Sequence, residues 1–256
     1  MTRTRLRRPL RQIAMGALAL PLALGLAACD KKTEAEAPTS GEPIAAIAPP
    51  AGKAWSDVVE KTPDGGYLMG NPQAPIKLVE YGALSCSHCA EFAQESFEKL
   101  RDDYVASGRV SYELRYFMLN PYDVPASLLA TCGATEAVIP LSEQFWAWMP
   151  QMFQNMQTVG EDRLQAIGQL PKEQQIPAIA EAAGMVDFFS SRGIARDQAK
   201  TCLADTSKAK ALADHTQQAS ERYNVTGTPT FIINGASVGS MRWAELEPKL
   251  QAAGAR

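Results

Sequence analysis

The fold is decided by residues 76–100, which run IKLVEYGALSCSHCAEFAQESFEKL. The first six of these residues are mostly apolar or β-branched and predict a short strand, Ile76 to Tyr81. The next four predict a turn, and apolar residues at helical spacing from Glu91 to Leu100 predict a helix. The two cysteines of the Cys-Ser-His-Cys motif, Cys86 and Cys89, are therefore expected on the first turn of that helix.

This position favours redox chemistry at the motif. The first turn of a helix has unpaired backbone N–H groups and the positive end of the helix dipole, and both stabilise a thiolate. Cys86 is therefore expected to have a lowered pKa and to act as the nucleophile, with His88 adding a donor or a positive charge. Cys89, one turn later and facing inward, is placed to resolve a mixed disulfide. The motif thus predicts a redox-active disulfide between Cys86 and Cys89.

Two other interpretations of the motif remain open. One is half of a zinc site, but the chain has only two histidines, His88 and His215, and no second Cys-x-x-Cys motif, so four ligands are hard to assemble. The other is a purely structural disulfide between Cys86 and Cys89. No metal and no cofactor are expected.

A second informative segment is residues 227–235, GTPTFIING. Its apolar run predicts a strand, and Asn234-Gly235 is the dipeptide typical of a tight hairpin turn. A trans proline in a surface turn is one interpretation of Pro229.

Together, residues 70–92 and 227–235 resemble the DsbA family of thioredoxin-fold proteins. The resemblance extends from about Trp55 to the C-terminus and implies an α/β, thioredoxin-like fold with an inserted α-helical domain. It also implies that Pro229 is cis and lies beside the Cys-x-x-Cys motif, where backbone groups of Thr228 bind an extended substrate segment.

The same resemblance implies that Glu80 is a buried proton acceptor for Cys89. A desolvated carboxylate has a raised pKa that suits this task. The alternative is a solvent-facing glutamate on an edge strand. Ser87 stands where DsbA itself has proline. Because this dipeptide tunes the redox potential, the resemblance does not predict the redox potential of this chain.

The region between the two segments has few strand signals. Aromatic and Met residues from Phe145 to Met156 recur at helical spacing and predict a helix with an apolar stripe. This stripe is expected to pack in the core, and the alternative is that it lines a substrate groove. Further helices are predicted before Gly184 and after the capping residue Asp205. The predicted domains are residues 54–121 and 223–256 for the two thioredoxin-like parts and residues 122–222 for the inserted helical domain.

Cys132 and Cys202 lie in two apolar helical stretches of the helical region. In an oxidising compartment they predict a structural disulfide, and some bacterial relatives of DsbA carry a comparable second pair. Two buried free thiols, or a second redox-active pair, are the alternatives.

The N-terminal residues predict export. An uncharged stretch of 14 residues, Ile13 to Leu26, is too short for a bilayer-spanning helix of about 20 residues and is typical of a secretory signal. It follows five basic residues, Arg3, Arg5, Arg7, Arg8 and Arg11. The ending Leu26-Ala27-Ala28-Cys29 resembles a bacterial lipobox, which implies removal of residues 1–28 and a lipid on Cys29. An ordinary signal with an incidental cysteine is the alternative.

Residues 29–53 contain few large apolar side chains and are predicted to form a flexible tether. By resemblance to lipoprotein sorting signals, Asp30 implies retention at the inner membrane. Without residues 1–28 the chain keeps 20 basic and 28 acidic residues, a net charge of −8, which argues against nucleic acid as a partner.

The expected protein is a periplasmic, lipid-anchored thiol–disulfide oxidoreductase that forms disulfides in exported proteins. Its expected partners are substrate proteins with free thiols or disulfides and a membrane protein that reoxidises the cysteine pair. Isomerases of this superfamily usually carry an N-terminal dimerisation domain, and residues 30–53 are too short and polar for one, so a monomer is expected. An isomerase or reductase, or a chaperone without redox activity, remains an alternative.

Overall fold

The computed structural model describes residues 41–256. The predicted signal peptide and the lipidation residue Cys29 lie outside the described residues, as does the first part of the predicted tether.

Six strands form one mixed sheet in the order β1-β2-β4-β3-β5-β6. β3 and β4 run parallel, and the other neighbours are antiparallel. Because β3 lies between β4 and β5, its backbone is bonded on both sides, and most of its side chains are buried. The strands are β1 (Val59–Lys61), β2 (Tyr67–Gly70), β3 (Ile76–Gly82), β4 (Val110–Tyr116), β5 (Thr230–Ile233) and β6 (Ala236–Gly239).

Helix α1 (Ser87–Lys99) follows β3 after a short turn, as the sequence predicts, and a π-helical segment, Leu100–Val105, continues it. Phe92 fixes α1 on the sheet: its ring centroid lies 4.6 Å from that of Phe231 on β5 and 6.3 Å from that of Trp243, at the start of the last helix, α9 (Trp243–Ala252). The Cys-x-x-Cys motif is therefore held at the end of a central strand.

Seven α-helices lie between β4 and β5. Their core is aromatic: the ring of Phe145 stacks on Phe189 at 5.5 Å and meets Phe188 edge-on at 5.3 Å. Phe145 and Trp146 are buried, so the predicted stripe is core. The helices are α2 (Asp123–Ala130), α3 (Val138–Val159), α4 (Glu161–Gly168), α5 (Lys172–Ala182), α6 (Met185–Ser190), α7 (Arg196–Leu203) and α8 (Thr206–Tyr223). The thioredoxin-like fold with a helical insertion is confirmed.

A disulfide joins Cys132, in the turn after α2, to Cys202 on α7, with the two Cα atoms 5.8 Å apart. The amide of Gln198 donates to the Cys132 carbonyl at 2.9 Å and reinforces the same junction. The pairing is the one that the sequence analysis predicts.

The turn between β5 and β6 has the form that its sequence predicts. Asn234 and Gly235 both have positive φ, 49° and 86°, as a two-residue hairpin turn of this hand requires. The Asn234 side chain also accepts a hydrogen bond from the Lys77 backbone N–H at 2.8 Å, which ties the hairpin to β3.

The predicted tether is shorter than expected, because its described part is bonded to the fold. The N–H of Ile44 donates to the carbonyl of Gly254 at 2.9 Å, and that of Ile47 donates to Ser107 at 2.9 Å. The carbonyl of Ile47 accepts from the Trp55 indole at 2.8 Å. The prediction rested on the small number of large apolar side chains in this segment. Hydrogen bonds of its backbone, which do not depend on side-chain composition, hold the described part against the fold.

No helix within residues 41–256 has the length and apolar character needed to cross a bilayer.

Candidate active site

Cys86 is the N-cap residue of α1, so its sulfur faces the free backbone N–H groups of the first turn. Its Sγ accepts from the Cys89 backbone N–H at 3.3 Å, and as a thiol it donates to the Thr228 carbonyl at 3.2 Å. A hydrogen bond from the Cys89 thiol is the largest cause that lowers the pKa of Cys86 to about 6, and backbone N–H groups of Cys89 and His88 add to it against desolvation. At neutral pH Cys86 is therefore mainly a thiolate.

Cys89 lies one turn further into the protein and has no exposed surface, whereas Cys86 is 7% exposed. Burial raises the pKa of Cys89 well above its usual value, with the hydrogen bond to Cys86 and the charge of Glu80 adding to the rise. Cys89 therefore keeps its proton until a nearby base accepts it. The structure shows this pair as free thiols.

Glu80 is fully buried on β3, the central strand, so the alternative of a solvent-facing glutamate on an edge strand is wrong. Tyr112 on β4 donates to its Oε2 at 2.7 Å, and Oε1 has no hydrogen-bond partner among the described residues. Burial raises the pKa of Glu80 to about 8; the Tyr112 bond opposes this rise and the Cys86 charge adds to it. A carboxyl with this pKa exchanges protons with a thiol near neutral pH.

The structure places the His88 side chain differently from the prediction. The imidazole is 76% exposed, and its Nδ1 lies 3.3 Å from the Glu91 carboxylate, one turn along α1. The contribution of His88 to the Cys86 thiolate comes from its backbone N–H. The reason is geometric: a residue two positions after the N-cap points its side chain outward while its N–H faces the cap.

Thr228 and Pro229 lie beside the cysteines, as the resemblance implies, and the peptide bond between them is cis. Two surface grooves flank this segment. One, of about 330 Å³, is lined by residues of α1 and of the loop before α9, including Phe92 and Met241. The other, of about 480 Å³, is lined mainly by hydroxyl and backbone groups of residues 223–240, including Thr226.

Asp123, the first residue of α2, is a residue beside the site that the sequence analysis missed. Its fully buried carboxylate accepts from the N–H of Ser85 at 2.8 Å and its hydroxyl at 3.1 Å, and from the N–H groups of Leu119 and Asn120 at 2.9 and 3.0 Å. It fixes the turn before Cys86 to the helical domain. An acidic residue in the first turn of a helix is too common a signal to have revealed this.

Tyr112, the partner of Glu80, was also missed. It lies 32 residues away in sequence, and only the parallel pairing of β3 with β4 brings it to Glu80. Within residues 41–256 no group of three or more His, Cys, Asp or Glu side chains is placed to hold a metal ion.

One thiol with a lowered pKa and one with a raised pKa lie at the start of a helix that follows a central strand of the sheet. This arrangement defines a thioredoxin-fold dithiol protein. A thioredoxin family model matches residues 62–252, and the chain belongs to that family.

Known relatives and solved structures agree with this assignment. A Rickettsia conorii protein named as a protein-disulfide oxidoreductase is 26% identical over 190 residues, which cover 72% of this chain and 58% of that protein. The chain thus spans little more than half the length of this relative.

Among solved structures, a protein-disulfide isomerase from Novosphingobium aromaticivorans is 33% identical, with a TM-score of 0.70, and the match covers 74% of this chain and 97% of that one. The alpha-DsbA1 protein of Wolbachia pipientis is 19% identical, with a TM-score of 0.56 and coverage of 73% and 90%, and it shows the shared fold. The resemblance to DsbA-like proteins is confirmed.

Proposed function

We propose that this chain is a thiol–disulfide oxidoreductase that forms disulfide bonds in exported proteins. The observation that carries the proposal is the opposite acidity of the two thiols: the pKa of Cys86 is lowered to about 6 and that of buried Cys89 is raised, with Glu80 beside it. A structural disulfide needs neither a stabilised thiolate nor a buried carboxyl.

In the oxidised protein a sulfur–sulfur bond joins Cys86 and Cys89. A substrate thiolate attacks the Sγ of Cys86, the sulfur–sulfur bond breaks, and Cys89 leaves as a thiolate that takes a proton from Glu80. A second thiolate of the substrate then attacks the substrate sulfur of the mixed disulfide. The substrate disulfide forms, and Cys86 leaves as the stabilised thiolate.

The direction follows from the stability of the products. Because contacts at the start of α1 stabilise the Cys86 thiolate, they favour the reduced protein and make its disulfide oxidising. Two electrons must then pass to a further disulfide or quinone system, and a membrane protein with a reactive disulfide supplies that step. The Cys86 thiolate attacks that disulfide and releases a thiolate of the membrane protein, and Cys89, whose proton Glu80 accepts, then attacks the Cys86 sulfur and releases the second thiolate.

The grooves beside Pro229 support an extended polypeptide as substrate. The Thr228 backbone lies next to the Cys86 sulfur, and residues of the edge strand β6 line the same groove as Thr228. Main-chain hydrogen bonds bind any sequence, so they suit an enzyme with many substrates.

The proposed location is the periplasm, with a lipid on Cys29 holding the protein at the inner membrane. The lipobox-like ending of the apolar stretch and the residue Asp30 support it. An oxidising compartment also accommodates the Cys132–Cys202 disulfide. The proposed form is a monomer.

Isomerisation is the second candidate, because the Novosphingobium aromaticivorans protein at 33% identity is named as an isomerase. An isomerase attacks non-native disulfides with the Cys86 thiolate and works in its reduced form. An oxidase works in its oxidised form.

Two assays test these functions on one preparation. Oxidised protein is expected to restore activity to reduced, unfolded ribonuclease without added oxidant, and Cys86→Ala is expected to abolish this. If only scrambled ribonuclease is rescued, and only by the reduced protein, isomerisation replaces the proposed function. A chaperone without redox activity would prevent aggregation equally well as wild type and as Cys86→Ala. Equilibration with glutathione then measures the potential of the pair.

A further inference from the structure

A second carboxyl, Glu143, lies near Glu80 and has no role in the mechanism above. Glu143 is on the second turn of α3, and its side chain has neither a hydrogen bond nor an ion pair within residues 41–256. Its side chain is partly exposed, whereas Glu80 is fully buried. An acidic side chain with no protein partner at a partly exposed position depends on water for its hydrogen bonds.

The residues that neighbour Glu143 on α3 contact the ends of β3 and β4, so the face of α3 that carries Glu143 lies over those ends. The Ser142 hydroxyl lies 2.6 Å from the hydroxyl of Tyr116, the last residue of β4. The Trp146 indole donates to the carbonyl of Ala83, just after β3, at 2.9 Å. Glu143 is three residues before Trp146 and therefore on the same face of the helix.

Glycine at position 82 allows α3 to approach Glu80. A Cβ atom there would lie 3.2 Å from Glu80 Oε1 and 3.3 Å from the Trp146 ring, so the carboxyl and the indole flank the same small space. Oε1 is the Glu80 oxygen without a hydrogen bond. The free oxygen of Glu80 is thus on the side where α3 carries Glu143 and Trp146.

The charges around the two carboxyls leave them poorly neutralised. Tyr112, Cys86 and Cys89 face Glu80 from β4 and α1, and none of them carries a positive charge. Glu143 interacts electrostatically with Glu80, Tyr112 and Tyr116, and within residues 41–256 the opposing charge on it is that of Arg101, whose guanidinium is bonded to Asp102 at 2.7 Å.

Two carboxylates in such a site cannot both be ionised at low cost. Burial and the charge of Glu80 raise the pKa of Glu143 well above its usual value, and Arg101 offsets only part of this. A pair of this kind titrates as a unit, with one proton held over a broad pH range.

We propose that Glu143 is a positioning residue that acts through Glu80: the two carboxyls share one proton, which Glu80 exchanges with Cys89 and Glu143 exchanges with water. The proposal rests on the proposed function for the role of Cys89. The step is balanced, because Glu80 accepts the proton that Cys89 loses when it attacks a mixed disulfide, while the proton that the pair already held passes from Glu143 to water. Glu143 supplies the contact with solvent that Glu80 lacks.

The pair is tested first without any activity. Reduced protein labelled with ¹³C at the glutamate carboxyls is titrated by NMR as wild type, Glu80→Gln and Glu143→Gln. Each substitution is expected to lower the titration midpoint of the remaining carboxyl by about one pH unit, because coupling above about one unit defines such a pair. Midpoints that do not change in either variant overturn the proposal. Glu98→Gln, exposed on α1 and also facing Arg101, is the matched control and leaves both midpoints in place.

The second test measures how fast Cys89 resolves a mixed disulfide of Cys86 with thionitrobenzoate, across pH. The half-maximal rate in Glu143→Gln is expected about one pH unit lower than in wild type, with Glu143→Asp in between. If Glu80→Gln alters the profile and Glu143→Gln does not, the proposal fails and the role of Glu80 stands. If neither alters it, the proton-acceptor role of Glu80 in the proposed function fails as well.

Discussion

At the scale of single residues, the site depends on where each group lies relative to the start of α1. Cys86 is the N-cap and meets two backbone N–H groups, whereas the side chain of His88 leaves the motif towards Glu91. The acidity of the nucleophile therefore comes from the Cys89 thiol, from Thr228 and from the backbone N–H groups, while the His88 imidazole lies beside Glu91.

We expect the Cys86 thiolate to titrate with a pKa of about 6 in the reduced protein. His88→Ser is expected to leave that value within a few tenths of a unit, because serine keeps the backbone N–H that faces the sulfur. Thiolate absorbance in the ultraviolet, followed against pH for both proteins, measures it. A clear rise of the pKa in the serine variant would show that the imidazole approaches the sulfur in solution.

Glu80 predicts how stability depends on pH. Since burial raises the pKa of Glu80 from 4.5 to about 8, the folded protein binds this proton more tightly than the unfolded chain. The stabilisation of the folded state by this proton is fully present below the pKa that Glu80 has in the unfolded chain, and it is lost as pH rises towards 8. One unit corresponds to about 1.4 kcal/mol, so the loss amounts to a few kcal/mol.

Glu80→Gln removes this titration. We expect the free energy of unfolding of the variant to exceed that of wild type by about 2–4 kcal/mol at about pH 9 and to differ little from it at about pH 5. Urea unfolding of the reduced proteins measures this difference, with Glu60→Gln on the exposed strand β1 as the control. An equal effect at both pH values would mean that Glu80 is ionised throughout.

At the scale of elements, the helical insertion reaches the active site through one buried side chain. Asp123 accepts two hydrogen bonds from Ser85 and two from the backbone that leads into α2. The turn before Cys86 is thus held by the first residue of the inserted domain.

Asp123→Asn is expected to destabilise the protein by about 1–3 kcal/mol, because the new amide group cannot accept the hydrogen bonds that one oxygen loses. The Cys86 pKa is expected to rise as the turn loosens. Urea unfolding and the thiolate titration give the two readouts. Asp162→Asn, exposed in the first turn of α4, is the matched control, and an equally small effect of both variants would refute the role of Asp123.

The second disulfide acts on a larger part of the insertion. It closes a loop of 70 residues, which on the loop-entropy model stabilises the folded state by about 4 kcal/mol. Cys132→Ala with Cys202→Ala is therefore expected to lose a few kcal/mol in urea unfolding and to keep the glutathione equilibrium of the active-site pair. A changed equilibrium would show that the two pairs exchange electrons.

Local signals in the sequence predicted most of these elements. Asp205 accepts from the Lys208 N–H at 2.9 Å and caps α8, and Asn234-Gly235 forms the predicted hairpin turn. Of the groups around Glu80, Cys89 was predicted and the others were not. Tyr112 and Glu143 reach it from β4 and α3, and no local pattern encodes which side chain of a distant element meets a buried carboxyl.

At the scale of the whole molecule, helix α9 separates the groove from the segment that leads to the N-terminus. Arg242, at the start of α9, lines the groove beside Pro229. At the other end of α9, the N–H of Gly41 donates to the Ala252 carbonyl at 2.5 Å. Ten helical residues span about 15 Å, so the described chain joins the fold away from the groove. Under the proposed lipid anchor, this arrangement leaves the groove accessible to protein substrates.

The anchor itself is tested on the full chain, expressed with its own N-terminus in a Gram-negative host. We expect labelling by palmitate and recovery with the inner membrane, since an acylated cysteine partitions its chains into the bilayer. Cys29→Ala is expected to lose the label, while Cys86→Ala, which changes a buried thiol of the fold, keeps it. Unlabelled wild-type protein in the soluble periplasm would reject the anchor and leave the proposed chemistry untouched, because that chemistry depends only on residues of the fold.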